Sequence, residues 1–234
     1  MPKSNTLLVS NFTNQADLEI TLDGFSLEQV ESAKYLGIFV DNHLKWSQHI
    51  SYLCKVVNGK LFVLRKLRSV LPAEALKLIY IACIQPLLDY CDTVWDVCGY
   101  EGSRKAQSLQ NTAARIVTGN FNYRDIRGEE LVKVLGWQTL CERRRFHTAV
   151  LMYKCIYGLA PHYLSDQVTR VSDVNIYNTR STTTLNVLVP TVNRNVFKKS
   201  FAYNGAITWN AIPDFIRRAE DLPTFKVLYK RFYF

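Results

Sequence analysis

Seven apolar residues, Ile50, Leu53, Val57, Leu61, Leu64, Leu67 and Leu71, recur at steps of 3, 4, 4, 3, 3 and 4. Steps of three and four bring side chains onto one side of an α-helix. The spacing therefore predicts a helix over about Ser47 to Arg68 with a single stripe to bury. The rest of its circumference carries Lys55, Lys60, Arg65, Lys66 and Arg68, and Lys45 stands just ahead of it. A helix draws most of its stability from packing an apolar face, so this stripe demands other elements to cover it.

The following sequence supplies them. Pro72 suits the first turn of a helix running through Ala73, Leu76, Ile79, Tyr80, Cys83 and Ile84. With only Glu74 and Lys77 charged, it is expected to be the central, most buried helix. Pro86 should kink or restart it before Leu87, Leu88 and Trp95. A third long helix is expected from Ser103 to Val117, with Ala106, Leu109, Ala113 and Ile116 inward and Gly119 after its end. A short one from Glu129 to Leu135 closes at Gly136. Thr139 and Glu142 then have the spacing of a reciprocal cap for a helix burying Leu140, Val150, Leu151 and Ile156, stopped by Gly158 and Pro161.

The two ends read differently. Leu7-Leu8-Val9 is a short strand-like run, Leu18 to Leu22 alternates, and Asp23-Gly24 has hairpin chemistry before Phe25-Ser26-Leu27. Tyr35 to Val40 forms a further run whose Gly37 implies a bulge or a close backbone approach. Strands so few need helices or another sheet to cover them. Val171 to Thr184 reads as an exposed connector. Leu185 to Val189 alternates as a strand, a helix carries Phe197, Phe201, Tyr203, Ile207 and Trp209, and a last helix starts at Pro223 with Phe225, Leu228, Tyr229 and Phe232. The fold class expected is mainly α: a small N-terminal β-hairpin or sheet, a helical bundle and a helical C-terminal extension. The expected divisions are 1–42, 43–125, 126–170 and 171–234.

Charge is distributed unevenly. The 234 residues sum to +9, which favours a phosphate backbone as partner. The first 40 residues hold two lysines against five acidic side chains, whereas residues 41–70 hold six basic against one acidic. The six cysteines include no CxxC pair, so reduced thiols in a nuclear or cytoplasmic protein are expected. No apolar run reaches the roughly 20 residues of a membrane span, and the start carries no apolar secretory stretch; a secreted or membrane protein is not expected.

No catalytic centre can be assembled from local spacing. Two-metal chemistry needs convergent carboxylates, and Asp89, Asp92 and Asp96 would share one helical face, but among Tyr90, Cys91, Val94 and Trp95 they read as the polar edge of a packed helix. His43, His49, His147 and His162 share no face or element, and Cys91 and Cys98 lack zinc-site spacing. Neither a phosphate-binding GxxxxGK[ST] loop nor a GxGxxG turn occurs. No catalytic, metal-binding or cofactor residue is therefore assigned. Two readings of the basic helix stand: a solvated face, or a row of ammonium groups positioned on nucleic-acid phosphates. Gly37 likewise serves tight packing or the approach of a nucleic-acid backbone. Trp46, Trp95, Trp137 and Trp209 read as core. Arg143, Arg144 and Arg145 fan too widely for one contact line.

An ordered series of motifs resembles the C-terminal section of the reverse transcriptases of non-LTR, LINE-type retrotransposons, close to the jockey-like clades. It begins with Ala33-Lys34-Tyr35-Leu36-Gly37-Ile38-Phe39-Val40-Asp41, Leu44-Lys45-Trp46 and His49-Ile50. It continues through Tyr80, Ile84, Pro86-Leu87, Asp89-Tyr90-Cys91, Val94-Trp95, Leu109-Gln110-Asn111, Ala113-Ala114-Arg115, Leu135-Gly136-Trp137 and Arg143-Arg144. Met152-Tyr153-Lys154, Gly158-Leu159-Ala160-Pro161, Arg180, Trp209-Asn210, Ile212-Pro213 and Phe225-Lys226 complete it.

The resemblance implies that Tyr35, Leu36 and Gly37 form the turn after the palm that holds the primer end, and that Lys3 matches a basic residue of the preceding palm motif. The helices after Trp46 would form a thumb clasping an RNA–DNA duplex, with Lys45, Lys55, Lys60, Lys66 and Arg68 as backbone contacts. Such polymerases use magnesium held by palm aspartates that include an Ala-Asp-Asp signature. No Asp-Asp pair occurs in this sequence, and the fingers and most of the palm have no counterpart. The chain is thus expected to be a terminal fragment that does not polymerise alone and binds no cofactor itself. A decayed or host-retained helical protein and a thumb subunit complementing a separate palm are the alternatives.

Overall fold

The computed structural model describes residues 4–10, 19–174, 185–191 and 197–234. Lys3, Leu18, Arg180 and the 175–184 part of the expected connector lie outside them. The fold is mainly α, with small strand pairs near the N-terminus. Contacts group the chain into two units, one of residues 1–91 and 95–140, the other of 92–94 and 141–234.

In the first unit β1 (Asn5–Thr6) pairs in parallel with β4 (Glu28–Gln29). The Asp23-Gly24 turn joins β2 (Thr21–Leu22) to β3 (Phe25–Ser26) as the sequence predicts. Leu7-Leu8-Val9 is not a strand; the bridge forms one step earlier. The expected run through Gly37 is instead two strands, β5 (Ser32–Tyr35) and β6 (Ile38–Asp41), paired antiparallel from Ser32↔Asp41 to Tyr35↔Ile38. Leu36 and Gly37 take φ of 45° and 88°, the left-handed pair that a two-residue turn matched to strand twist requires.

Helix α1 spans Ser47–Leu67. Ile50, Leu53, Val57, Leu61 and Leu64 are all buried, each withdrawal from water contributing about 1.5–3 kcal/mol before ordering costs. Helix α2 (Ala73–Ile79) passes through a π turn, Tyr80–Ile84, into α3 (Gln85–Asp89), and a short α4 (Asp92–Trp95) follows. Pro86 has no N–H to donate and its ring crowds the preceding turn, and the wider π turn makes room for it. Contrary to the expectation of central burial, this helical stretch leaves Leu78, Ile81 and Cys83 exposed and buries only Leu76, Tyr80, Ile84 and Leu88. An apolar composition around a helix does not by itself cover the outer side.

The central position belongs to α5 (Gly99–Thr118), which buries Ala106, Leu109, Gln110, Ala113, Ala114, Arg115, Ile116 and Val117. Gly119, at φ 75°, ends it. Gln110 donates to the Tyr80 hydroxyl at 3.1 Å and to the Gln138 carbonyl at 2.9 Å, while Tyr80 stacks on Trp137 with centroids 3.9 Å apart. Helix α6 (Gly128–Val134) then closes at Gly136.

His49, 4% exposed, presents Nδ1 to the Phe39 amide at 3.5 Å and tilts against Trp95. Burial pushes its pKa below the ordinary value, so the folded chain keeps it neutral while the unfolded chain takes up a proton below about pH 6.5. Stability is thus lost as pH falls through that value. Urea midpoints are expected to drop between about pH 7 and pH 5, and to drop less in His49→Gln; an identical drop in both proteins would refute this role.

In the second unit α7 (Leu140–Ile156) runs from its expected start. Its deepest residues beyond Leu140 and Ile156 are Ala149, Met152 and Tyr153, with Arg144, Phe146 and Cys155 also buried, while Val150 and Leu151 are half-buried. Short helices α8 (His162–Ser165) and α9 (Val171–Val174) follow. The alternating run at Leu185 forms no extended strand. Val187 makes one bridge to Arg170, and its backbone N–H and carbonyl are taken by the Asn210 carboxamide at 3.0 and 2.8 Å. A side chain substitutes for the missing strand.

Helix α10 (Phe201–Asn210), with Ser200 accepting from Tyr203 at its start, α11 (Asp214–Arg217) and α12 (Leu222–Tyr233) complete the unit. Trp209, Tyr153, Phe225 and Ile216 form its core. Asp221 caps α12 by accepting the Thr224 N–H at 2.7 Å, and hydrogen bonds from Thr224 hold its carboxyl below the usual range.

Candidate nucleic-acid interface

The outer side of α1 is set by the same periodicity that buries its leucines. At 100° per residue, Lys55, Gly59, Phe62 and Lys66 fall within about 60° of one another, and the two lysines lie about 16 Å apart along the axis. All four face solvent. Phe62 is 64% exposed and carries the Lys66 ammonium 5.5 Å from its ring centroid. A side chain added at Gly59 would meet no atom within 4 Å, so the helix surface dips to bare backbone between the two charges. Sequence periodicity announces the paired lysines, whereas the bare glycine and the exposed aromatic between them emerge only on the folded helix.

The other basic candidates stand elsewhere. Lys60 is exposed about 140° round from Lys55, and Arg65 about 80° to the other side. Arg68, one residue past the helix, lies 5.1 Å over the Phe121 ring. Lys45 is exposed in the turn entering α1, where one carboxylate fixes the backbone: Asp41 accepts from the amides of His43 (3.2 Å), Lys45 (2.9 Å) and Trp46 (2.6 Å). Those bonds hold Leu44 and Trp46 at positive φ, a conformation non-glycine residues adopt only when their surroundings impose it.

The β5–β6 turn presents Tyr35 and Leu36 at 66% and 73% exposure. It is held from 54 residues away, where the Tyr90 hydroxyl donates to the Leu36 carbonyl at 2.6 Å. A Cβ at Gly37 would stand 3.3 Å from the Tyr90 ring. The close approach expected of this glycine is therefore made by a tyrosine of the same unit. Lys34, beside the turn, sits 5.0 Å over the Tyr52 ring and 5.6 Å over Phe39, which extends the cationic and aromatic surface onto the hairpin. Tyr90, Asp41 and Lys34 stand in the motif series, but the role of each comes through a partner that spacing does not announce.

The three aspartates weighed for metal do not share a helical face. Asp89 ends α3, and Cys91 at φ 50° breaks the chain before α4. Asp92 is buried and bonds His147 Nδ1 at 2.6 Å. All four tryptophans are buried, as is Arg144, while Arg145 is exposed.

Over 133 residues, 56% of its length, the chain is 30% identical to the probable RNA-directed DNA polymerase from transposon BS of Drosophila melanogaster. It is 26% identical over 103 residues, 43% of its length, to the probable RNA-directed DNA polymerase from transposon X-element of the same organism. The region is related to retrotransposon reverse transcriptases. The matches span 14% and 11% of those polymerases, so the reverse-transcriptase-related chain corresponds to a small part of either one. No protein-family model matches it, and no solved structure does. Among the described residues no helix is long and apolar enough to cross a membrane.

Proposed function

We propose that this chain is the duplex-holding part of a retrotransposon RNA-directed DNA polymerase, a thumb with the end of the palm. In this reading the turn at Tyr35, Leu36 and Gly37 meets the primer end. The Lys55–Gly59–Phe62–Lys66 line lies along the shallow groove of an RNA–DNA hybrid, with ammonium groups on phosphates. The bare backbone at Gly59 lets the helix approach the sugars. Lys45, Lys60 and Arg68 add peripheral charge.

The observation that carries the reading is that solvent-facing line, opposite the buried leucines, in a chain related to reverse transcriptases. Magnesium and its carboxylates belong to the remainder of the parent polymerase, whose palm and fingers are the protein partner. The free cysteines suit a nuclear or cytoplasmic setting.

Fluorescence anisotropy with a blunt RNA–DNA hybrid tests the reading. Each phosphate neutralised contributes about 0.9 to the slope of log affinity against log salt, so affinity should fall steeply as salt rises. Salt-insensitive binding, or none, would leave the decayed helical protein as the better account. With a primed template, magnesium and deoxynucleotides, the isolated chain should extend no primer; extension would refute its assignment as non-catalytic.

A further inference from the structure

The loop after α5, Gly119-Asn-Phe-Asn-Tyr-Arg-Asp-Ile-Arg127, is organised around a buried cation. Arg115, 4% exposed, donates to the carbonyls of Asn120 (3.3 Å), Asn122 (3.4 Å) and Ile126 (2.8 Å). The Asn120 side chain accepts the Asn122 backbone N–H, the Asn122 side-chain oxygen accepts the Arg124 backbone N–H, and the Asn122 side-chain Nδ2 donates to Asp125. A backbone fixed this thoroughly nevertheless sends its largest side chain outward. Tyr123 is 71% exposed, with the Arg115 guanidinium 4.1 Å from its ring centroid.

Tyr123 covers the buried guanidinium with one face and meets solvent with the other. Phe121 repeats the pattern beside it, backed by Arg68. Arg124 and Arg127 are exposed at the loop's end. The acidic groups nearby are Asp125, engaged with Asn122, and Glu129 and Glu130 in the first turn of α6. Two flat π surfaces fixed by arginines, with further arginines beside them, match the chemistry of unpaired nucleotides, whose bases stack on aromatic faces while their phosphates need cations. A polar, pre-ordered loop has no comparable complement in a double helix, where the base faces are already occupied.

We infer that the Gly119–Arg127 loop is a binding site for single-stranded nucleic acid, with an unpaired base stacked on Tyr123 and its phosphates near Arg124 and Arg127. Arg68 joins the C-terminal end of α1 to Phe121 from a side of the helix about 140° round from Lys55, so the loop is a site separate from the duplex line. The inference rests on the duplex reading only in that one nucleic acid engages both surfaces, its unpaired end reaching the loop from a hybrid held on α1.

The test uses the full chain with two ligands, a blunt RNA–DNA hybrid and the same hybrid bearing an overhang of about six nucleotides with 2-aminopurine in it. The overhang should tighten binding about tenfold and change the 2-aminopurine emission on stacking. Tyr123→Ala should lose that gain and the emission change while binding the blunt hybrid like the parent protein. Tyr123→Phe, which keeps the ring, should retain both, and circular dichroism of the variants checks the fold. An overhang that brings no gain, or a gain that survives Tyr123→Ala, overturns the site; so does capture of a protein partner by this loop with no effect on overhang binding. If Lys55 and Lys66 prove dispensable for the blunt hybrid while the overhang gain still depends on Tyr123, the duplex reading fails and the loop site stands.

Discussion

Replacing Lys55 and Lys66 together by glutamine is expected to weaken binding to a blunt RNA–DNA hybrid by roughly two orders of magnitude at about 50 mM salt. The magnitude follows from counterion release. A contact contributing about 0.9 to the logarithmic salt slope is worth about 15-fold in affinity at that concentration, and two such contacts multiply. The slope itself should shrink by about two units, which distinguishes lost phosphate contacts from lost structure. Both side chains are exposed, so stability should change by no more than about 0.5 kcal/mol. Lys60→Gln is a built-in comparison, since that side chain leaves the helix about 140° away from Lys55 and should cost less. Affinity and slope both unchanged in the double variant would remove α1 as the contact surface.

The second large effect is on stability. Trp209 is fully buried, lies against Tyr153 and Phe225 with centroids 6.4 and 6.0 Å away, and donates its indole N–H to the Leu185 carbonyl at 2.6 Å. Trp209→Ala should cost about 3–5 kcal/mol, from lost transfer energy and the cavity left behind. Trp209→Phe should cost less, because much of the volume stays and the missing hydrogen bond is the main loss. Urea unfolding followed by circular dichroism measures both. A Trp209→Ala midpoint close to that of the parent would mean that this core collapses around the gap or is not the core.

Helix α1 was legible almost to the residue because its register is local: the leucine steps state both the helix and the side that is covered. Gly119 and Gly136 were legible as stops for an equally local reason, since a left-handed residue after a helix favours glycine. The Leu36-Gly37 turn was harder. A leucine in left-handed geometry hides the usual turn signature, and the bond that holds it comes from Tyr90 across 54 positions. Arg115 stands in the sequence only as part of the Ala113-Ala114-Arg115 motif, and only the folded loop reveals its three carbonyls. The preference for α2 over α5 as the central helix failed because composition counts apolar residues without saying which neighbours cover them. The Leu185 run misled for a related reason: its backbone pairing stops at one bridge to Arg170, and the Asn210 side chain takes the N–H and carbonyl of Val187.

The π turn at Tyr80–Ile84 bears on how this molecule tolerates changes in length. Leu76, Tyr80, Ile84 and Leu88 are spaced by fours, and in a regular helix each such step overshoots by about 40°. The wider turn lags where the regular one runs ahead, which keeps the four side chains in phase. Removing one residue from 80–84 would restore uniform winding, and eleven regular steps of about 100° would leave Leu88 within about 20° of the phase of Leu76. A single-residue deletion here is therefore the one change of length that keeps the contacts beyond it in phase.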